Sequence, residues 1–399
     1  MSVQLSPVPG IRLGVAQASI KRAGRDDLLV IESAAGSSCA AVFTQNAFCA
    51  APVMLARRHM EAHPRWLLIN SGNANAGTGS RGMDDAIECC KGLAQAVGGA
   101  DPDQVLPFST GVIGEYLPLD RMLEAIPLAV ANMATDKWDQ AARAIMTTDT
   151  RPKAASRLIR CDAGNIVLTG ICKGSGMIHP NMATMLAFIG TDAKIPQTLL
   201  QRLLARAVDQ TFNCISVDGD TSTNDACVLL ASGHSGVEIG DEQSLDCRLF
   251  FDALLSLCSE LAEAIVRDGE GATKLIHVQV QGAANRDEAR KVGFTVAHSP
   301  LVKTAFFASD PNWGRILAAV GRAGSAELEI ERVNIWLDEV QIVENGGRCD
   351  RYEESSGVAV MSKPEITIRI ELGRGEGEAV IKTCDFSYDY VRINAEYRT

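Results

Sequence analysis

The sequence predicts a mixed α/β protein, and three patterns carry that expectation. Short runs rich in branched residues alternate with helix-length segments through the first third of the chain. A long amphipathic stretch covers Leu245 to Val266, and four short runs from Leu328 onward alternate apolar with polar side chains, as strands covered on one face do.

In order, Arg12 to Gln17, Leu28 to Ser33 and Cys39 to Thr44 read as strands, Val53 to Glu61 as a helix and Trp66 to Ile69 as a buried strand. Asn70 to Gly79 is a small-residue loop, either a sharp turn or a place where backbone approaches a ligand. A helix is expected from Met83 to Val97, with Asp84 and Asp85 in its first turn. A short strand, Val105 to Phe108, runs into Ser109-Thr-Gly-Val-Ile-Gly114, and a helix follows at Leu119 to Ala131. Ser156 to Cys161 and Asn165 to Cys172 form a hairpin that delivers Lys173. A further strand ends near Thr191, and Ile195 to Gln210 is helical with Pro196 near its first position. Val217 to Asp225 reads as a polar connection that lacks the spacing of a calcium loop. Lys274 to Val280 reads as a strand and Arg286 to Ala297 as a helix. Asp310-Pro-Asn-Trp-Gly-Arg315 opens a helix through Val320 in which Arg315 serves an anionic substrate or caps its own loop. Strands close the chain at Leu328 to Leu337, Glu365 to Leu372, Glu378 to Thr383 and Tyr388 to Asn394.

The 399 residues suffice for roughly two or three domains. Lys and Arg number 38 against 49 Asp and Glu, a formal charge of −11 without a basic run, so neither nucleic acid nor an anionic membrane is an expected partner. No apolar run is long enough to span a bilayer, and the expected location is the cytoplasm. The 12 cysteines are scattered without a C-x-x-C pair and read as buried thiols. His59 and His63 share helical spacing but are followed by Pro64 and have no acidic cluster, so no metal is expected. Neither Gly174-Ser-Gly176 nor Gly373-Arg-Gly-Glu-Gly377 has the spacing of a phosphate or dinucleotide loop, and no cofactor is expected.

The chemistry concentrates in Lys173-Gly-Ser-Gly-Met-Ile-His-Pro-Asn-Met-Ala-Thr-Met-Leu-Ala-Phe-Ile-Gly190. If the Thr184 hydroxyl attacks the Ala183 carbonyl, the amide becomes an ester, water releases it, and Thr184 becomes an amino terminus. Its α-amine, with an ordinary pKa of about 7.7 to 8.0, then lies beside its own hydroxyl and acts as the base. The bland reading is that Ala183-Thr184 opens a buried strand. Thr110-Gly111 is an ordinary turn or an oxyanion hole, and Glu270 is a solvated acid or a carboxylate held near a ligand.

Lys173-Gly-Ser-Gly-Met177 with Asn181-Met-Ala-Thr-Met-Leu186 resembles the processing site of the glutamate N-acetyltransferases of arginine biosynthesis, or ornithine acetyltransferases. Asn70-Ser-Gly-Asn-Ala-Asn-Ala-Gly77, Ser109-Thr-Gly-Val-Ile-Gly114, Thr147-Thr-Asp-Thr150, Asp310-Pro-Asn-Trp-Gly-Arg315 and Asn394-Ala-Glu-Tyr-Arg-Thr399 match the same family in the same order. The resemblance implies a layered fold of helices on sheets. It also implies self-cleavage into an α chain, 1–183, and a β chain, 184–399, that stay associated, as a dimer of such heterodimers.

The resemblance further implies that Thr184 is the nucleophile, that Thr110 and Gly111 stabilise the oxyanion, and that Thr147, Lys173, Thr184, Glu270, Asn394 and Thr399 bind substrate. The implied reaction moves acetyl from N-acetylornithine to glutamate through an acetyl-threonine, with acetyl-CoA an open second donor. Both amino acids carry an α-carboxylate, and Lys173 is the candidate cation for it. A self-processing amidase or aminopeptidase with the same nucleophile, and an unprocessed small-anion-binding protein, are the alternatives.

Overall fold

The computed structural model describes residues 5–179, 185–325 and 327–396. Two compact units emerge. The first takes in the chain through Asn213 together with Asp220–Ile265, and the second takes in Cys214–Gly219 and the chain from Val266 onward. This partition differs from the boundary at the expected cleavage bond, which itself lies outside the described residues.

In chain order the first unit contains β1 (Ile11–Ala16), β2 (Leu28–Ser33), β3 (Ser38–Phe43), α1 (Ala51–His59), β4 (Trp66–Asn73), α2 (Gly79–Ala96) and β5 (Val105–Val112). It continues with α3 (Leu119–Ala131), α4 (Trp138–Ala144), β6 (Lys153–Cys161), β7 (Gly164–Lys173), β8 (Leu186–Thr191), α5 (Gln197–Gln210) and β9 (Ala226–Ala231). Helix α6 (Leu245–Arg267) then leads into the second unit.

Two sheets of the first unit pack face to face. One has the order β1-β2-β4-β5 and the other β3-β9-β8-β7-β6. Between them Ile11, Leu13, Leu29, Ile31, Leu67 and Ile69 meet Ile171, Phe188, Val228 and Leu230, and the Phe108 and Phe188 rings cross edge to face at 5.2 Å. On its other face the first sheet packs against α2 and α3 through Leu93, Cys90, Met122 and Ile126. The second sheet is covered on its far side as well, where Leu257 and Leu261 of α6 press on Gly170. Every residue of β8 and β9 is therefore buried, which is why both read as continuous apolar runs. Edge strand β3 does not offer its backbone to solvent: Gln197 and Gln201 of α5, one turn apart, accept from Cys39 N–H (3.0 Å) and Ala41 N–H (3.1 Å).

The second unit contains β10 (Leu275–Ala283), α7 (Arg286–Ala297), α8 (Pro300–Phe307), α9 (Trp313–Gly321), β11 (Asn334–Leu337), β12 (Val340–Glu344), β13 (Gly347–Arg348), α10 (Glu354–Met361), β14 (Glu365–Glu371), β15 (Gly377–Cys384) and α11 (Tyr388–Ala395). Its sheet has the order β13-β12-β11-β14-β10-β15, with β10 and β14 parallel. Helices α7 to α10 bury one face of it through Val292, Val296, Phe306, Ile316 and Met361.

The mixed α/β class holds, and several boundaries move. Tyr388 to Asn394 is helix rather than strand: Ser387 caps it by accepting from Asp389 N–H, a local signal stronger than the alternation of Tyr, Val and Ile. Of the Leu328 to Leu337 run, only Asn334–Leu337 is strand. Helix α2 begins at Gly79, so Asp84 and Asp85 stand beyond its first turn. Helix α9 begins after Pro311, with Asn312 as its cap. β5 continues through Thr110 and Gly111 to Val112, so this pair is strand rather than turn. None of the 12 cysteines forms a disulfide; Cys49 and Cys161 are partly exposed and the others buried. His59 spends its ring on Val105 O (2.7 Å) and Asp103 (3.3 Å), as a structural histidine does. No described helix is long and apolar enough to cross a membrane.

Candidate active site

The site grows from the ends of four neighbouring strands in the first unit. β4 and β5 run parallel with Gly72 opposite Gly111, and Gly111 has φ of 134°. A Cβ there would meet the Gly72 carbonyl carbon at 2.3 Å, so only glycine lets the strands close. Next to it Thr110 is buried, and its Oγ1 accepts a hydrogen bond from Lys173 Nζ at 3.2 Å. Lys173 is the last residue of β7 and pairs with Leu186, the first of β8. The hydroxyl, the glycine backbone and the candidate cation are thus brought together.

Asp149 organises this corner, and sequence reasoning passed it over. Its carboxylate accepts from Thr147 N–H (3.0 Å), Gly174 N–H (2.8 Å) and Lys153 Nζ (2.5 Å). Burial acts to raise its pKa, but Lys173, Lys153 and the Gly174 N–H outweigh burial and hold it below the usual carboxylate range. The signal was present in the sequence: an acid inside the Thr147 to Thr150 cluster, four residues before a lysine. Thr147, expected in substrate binding, is held by its backbone N–H on Asp149.

Asn224 and Asp225, read as part of a polar connection, are buried. The Asn224 amide donates to Ala74 O (2.5 Å) and Ser109 O (3.0 Å), tying the loops after β4 and along β5 to the start of β9. The asparagines of the Asn70 to Gly77 stretch are also spent on framework: Asn70 on Asn73 O and Ser109, Asn73 on Glu115 O and Tyr116 O, Asn75 on Gly82 O. Burial pushes the Asp225 carboxyl well above its ordinary value, with the Ser222 hydroxyl, Lys173 and the Met185 N–H pulling partly back. Ala183 and Thr184 lie outside the described residues.

In the second unit, Glu270 is buried and its Oε2 accepts from Asn394 Nδ2 at 2.9 Å, so these two candidates meet. Gly271 (φ 70°) lets α11 come this close, since a Cβ there would lie 2.4 Å from Tyr390 N. Tyr390 stacks on Phe386 at 4.6 Å and its hydroxyl reaches Asp218 at 3.4 Å. Arg315 donates to Leu301 O (2.9 Å) in its own helical neighbourhood. Thr399 lies outside the described residues. No group of three or more potential metal ligands occurs among the described residues.

Residues 12–399 match the ArgJ family. The chain is 63% identical over 397 residues to the arginine biosynthesis bifunctional protein ArgJ of Methylococcus capsulatus, covering 100% of this chain and 97% of the relative. It is 53% identical to the protein of that description in Pseudomonas syringae pv. tomato, covering 99% and 98%. Among solved structures, the arginine biosynthesis bifunctional protein of Bacillus halodurans superposes with a TM-score of 0.49 at 41% identity, over 51% of this chain and 95% of that one. The ornithine acetyltransferase of Mycobacterium tuberculosis complexed with ornithine gives 0.40 at 30% identity, over 46% and 98%.

Proposed function

The chain belongs to the ArgJ family, and from that premise we propose how it carries out acetyl transfer in arginine biosynthesis. It is an acyltransferase acting on small molecules. The donor is N-acetylornithine and the acceptor glutamate, with acetyl-CoA an open second donor. The amidase and anion-binding alternatives gain nothing from family membership.

The chain cuts itself between Ala183 and Thr184. The exposed amine takes the Thr184 hydroxyl proton, the oxygen attacks the donor's acetyl carbonyl, and the tetrahedral oxyanion collapses with loss of ornithine to leave an acetyl ester. Glutamate's amine then attacks the ester through a second oxyanion, and N-acetylglutamate leaves. Thr110 and the Gly111 backbone donate to both oxyanions. Lys173 binds the α-carboxylate, and Thr147, Glu270, Asn394 and Thr399 are further substrate-binding residues. The α and β chains, 1–183 and 184–399, form one enzyme that pairs into a heterotetramer in the cytoplasm.

The observation that carries this reading is the hydrogen bond from Lys173 to Thr110, which joins a cation to the expected oxyanion donor beside a glycine no other residue can replace. Intact mass of the purified protein and of Thr184→Ala tests it. Two chains from the wild type and one from the variant are expected, with parallel double-reciprocal lines for acetyl transfer between N-acetylornithine and glutamate. An uncut wild type, or intersecting lines, would overturn the acetyl-threonine route.

A further inference from the structure

Helix α11 carries Asn394 to Glu270, yet none of its own residues is buried. Its seat therefore comes from a few directed contacts rather than from an apolar face. Ser387, its cap, donates to Gly271 O at 2.6 Å. Tyr388 meets Phe307 edge to face at 5.4 Å while remaining 84% exposed. Tyr390 stacks on Phe386 at 4.6 Å, and its carbonyl accepts from Asn394 Nδ2 at 3.0 Å, the two residues standing one turn apart. The Phe386 ring thus fixes the rotation of α11, and with it the direction of the Asn394 amide.

That ring is held by a buried cation. Lys303, on α8, is 1% exposed, and its Nζ lies 4.6 Å from the centre of the Phe386 ring. An ammonium has three protons to donate. Thr383 Oγ1 takes one at 2.9 Å and the Cys384 carbonyl a second. The ring face is the third acceptor, with only the weakly accepting Cys384 sulfur beside it at 3.9 Å. Among the described residues no carboxylate contacts this lysine. Asp385, next in the chain, accepts instead from Thr273 N–H (2.8 Å), Thr273 Oγ1 (2.5 Å) and Lys274 N–H (2.9 Å). A cation buried without a counter-charge in contact is costly, which sets Lys303 apart from the paired Lys153.

We infer that Lys303 is a positioning residue for the donor substrate: through Phe386 and Tyr390 its charge sets the Asn394–Glu270 pair, an inference that rests on the substrate-binding role proposed above for that pair. Asn394 occupies Oε2 of Glu270 and so holds the carboxylate in one orientation, leaving Oε1 for a ligand. The side-chain ammonium of N-acetylornithine is the cation that this orientation suits. Glutamate brings a carboxylate in its place and gains nothing from it. Lys303 itself touches neither substrate; it keeps α11 in register with the Glu270 turn.

Steady-state acetyl transfer from N-acetylornithine to glutamate by Lys303→Met, Phe386→Leu, the double variant and Glu270→Gln tests this, with hydrogen–deuterium exchange of α11 as a second readout. Lys303→Met keeps most of the side chain's length and loses the charge. Its KM for N-acetylornithine is expected to rise about three- to thirtyfold, the range that a cation–π contact spans, while kcat and the KM for glutamate stay near wild type. The α11 amides should exchange faster. Because both residues act along one line, the double variant should be no worse than the poorer single one. A lysine that merely stabilised the fold would lower the unfolding midpoint without that split in KM. A wild-type KM for N-acetylornithine or wild-type α11 exchange in Lys303→Met, or effects that multiply in the double variant, would overturn the inference. Should Lys303→Met fail to fold, Phe386→Leu carries the test, and a wild-type KM for N-acetylornithine in it is equally fatal. An unchanged KM in Glu270→Gln removes the reading of that carboxylate, and the inference with it; a raised KM there beside an unchanged one in Lys303→Met removes the inference alone.

Discussion

Lys173 Nζ donates to Thr110 Oγ1 at 3.2 Å, so the threonine's oxygen is occupied as an acceptor and its proton remains to be given. A hydroxyl that accepts from a cation is a better donor to an oxyanion. Lys173→Met should therefore raise the KM of both amino acids and lower kcat as well, whereas Thr110→Val should lower kcat with little change in KM. Steady-state kinetics of both half-reactions separate the two. Wild-type Michaelis constants in Lys173→Met would withdraw the carboxylate role.

Gly111→Ala introduces a Cβ against the Gly72 backbone and a strained φ. The strands must part, and the Gly111 N–H moves with them. Loss of an oxyanion donor lowers turnover by about a hundredfold or more. Acetyl transfer slowed by that factor, with a retained circular dichroism spectrum, is the expected result.

Asp149→Asn strips the buried Lys153 of its counter-charge. Leaving one partner of a buried pair uncompensated costs about 3–5 kcal/mol, measurable by urea unfolding. The Asp149 pKa is lowered on folding from an ordinary 3.8, so its contribution is present above that value and lost as pH falls through the lower folded one. The variant's stability should accordingly fall less between neutral and acid pH than the wild type's.

Asn224→Ala leaves the carbonyls of Ala74 and Ser109 without their shared donor. About 1–3 kcal/mol of stability should go with each carbonyl that water does not reach. A change in transfer rate with no loss in unfolding midpoint would contradict the bracing role.

Glu270→Gln keeps a partner for Asn394 but removes the charge. A lost charged hydrogen bond is worth about 1.5–3 kcal/mol, so the KM for N-acetylornithine should rise roughly tenfold or more while that for glutamate does not. Equal effects on both would argue for a framework role instead.

The sequence revealed the site where chemistry and local pattern coincide. Lys173 stands at the end of a strand whose hairpin was legible, and Thr110-Gly111 and Glu270-Gly271 were marked by glycines that the backbone needs. Asp149, Asn224 and Asp225 were not legible as site residues, because their significance comes from partners distant along the chain: Gly174 for Asp149, Ala74 and Ser109 for Asn224, Lys173 for Asp225. Helix α11 was misread because the spacing of Tyr388, Tyr390, Val391 and Ile393 suits either periodicity. Only its Ser387 cap decides between them.

In the second sheet, β8 and β9 lie between β3 on one side and β7 and β6 on the other. A break at the proposed bond would place the two inner strands on one polypeptide and the three flanking strands on its companion. Neither product could leave without opening ladders on both sides, so the nick should pass unnoticed in the native state. It would be felt only after melting. The intact precursor can find its fold as a single molecule, but the nicked pair must first meet in solution, and its recovery would slow with dilution. Cleavage on this account acts as a ratchet: a protein that folds once as a precursor and, when lost, is more readily replaced than refolded.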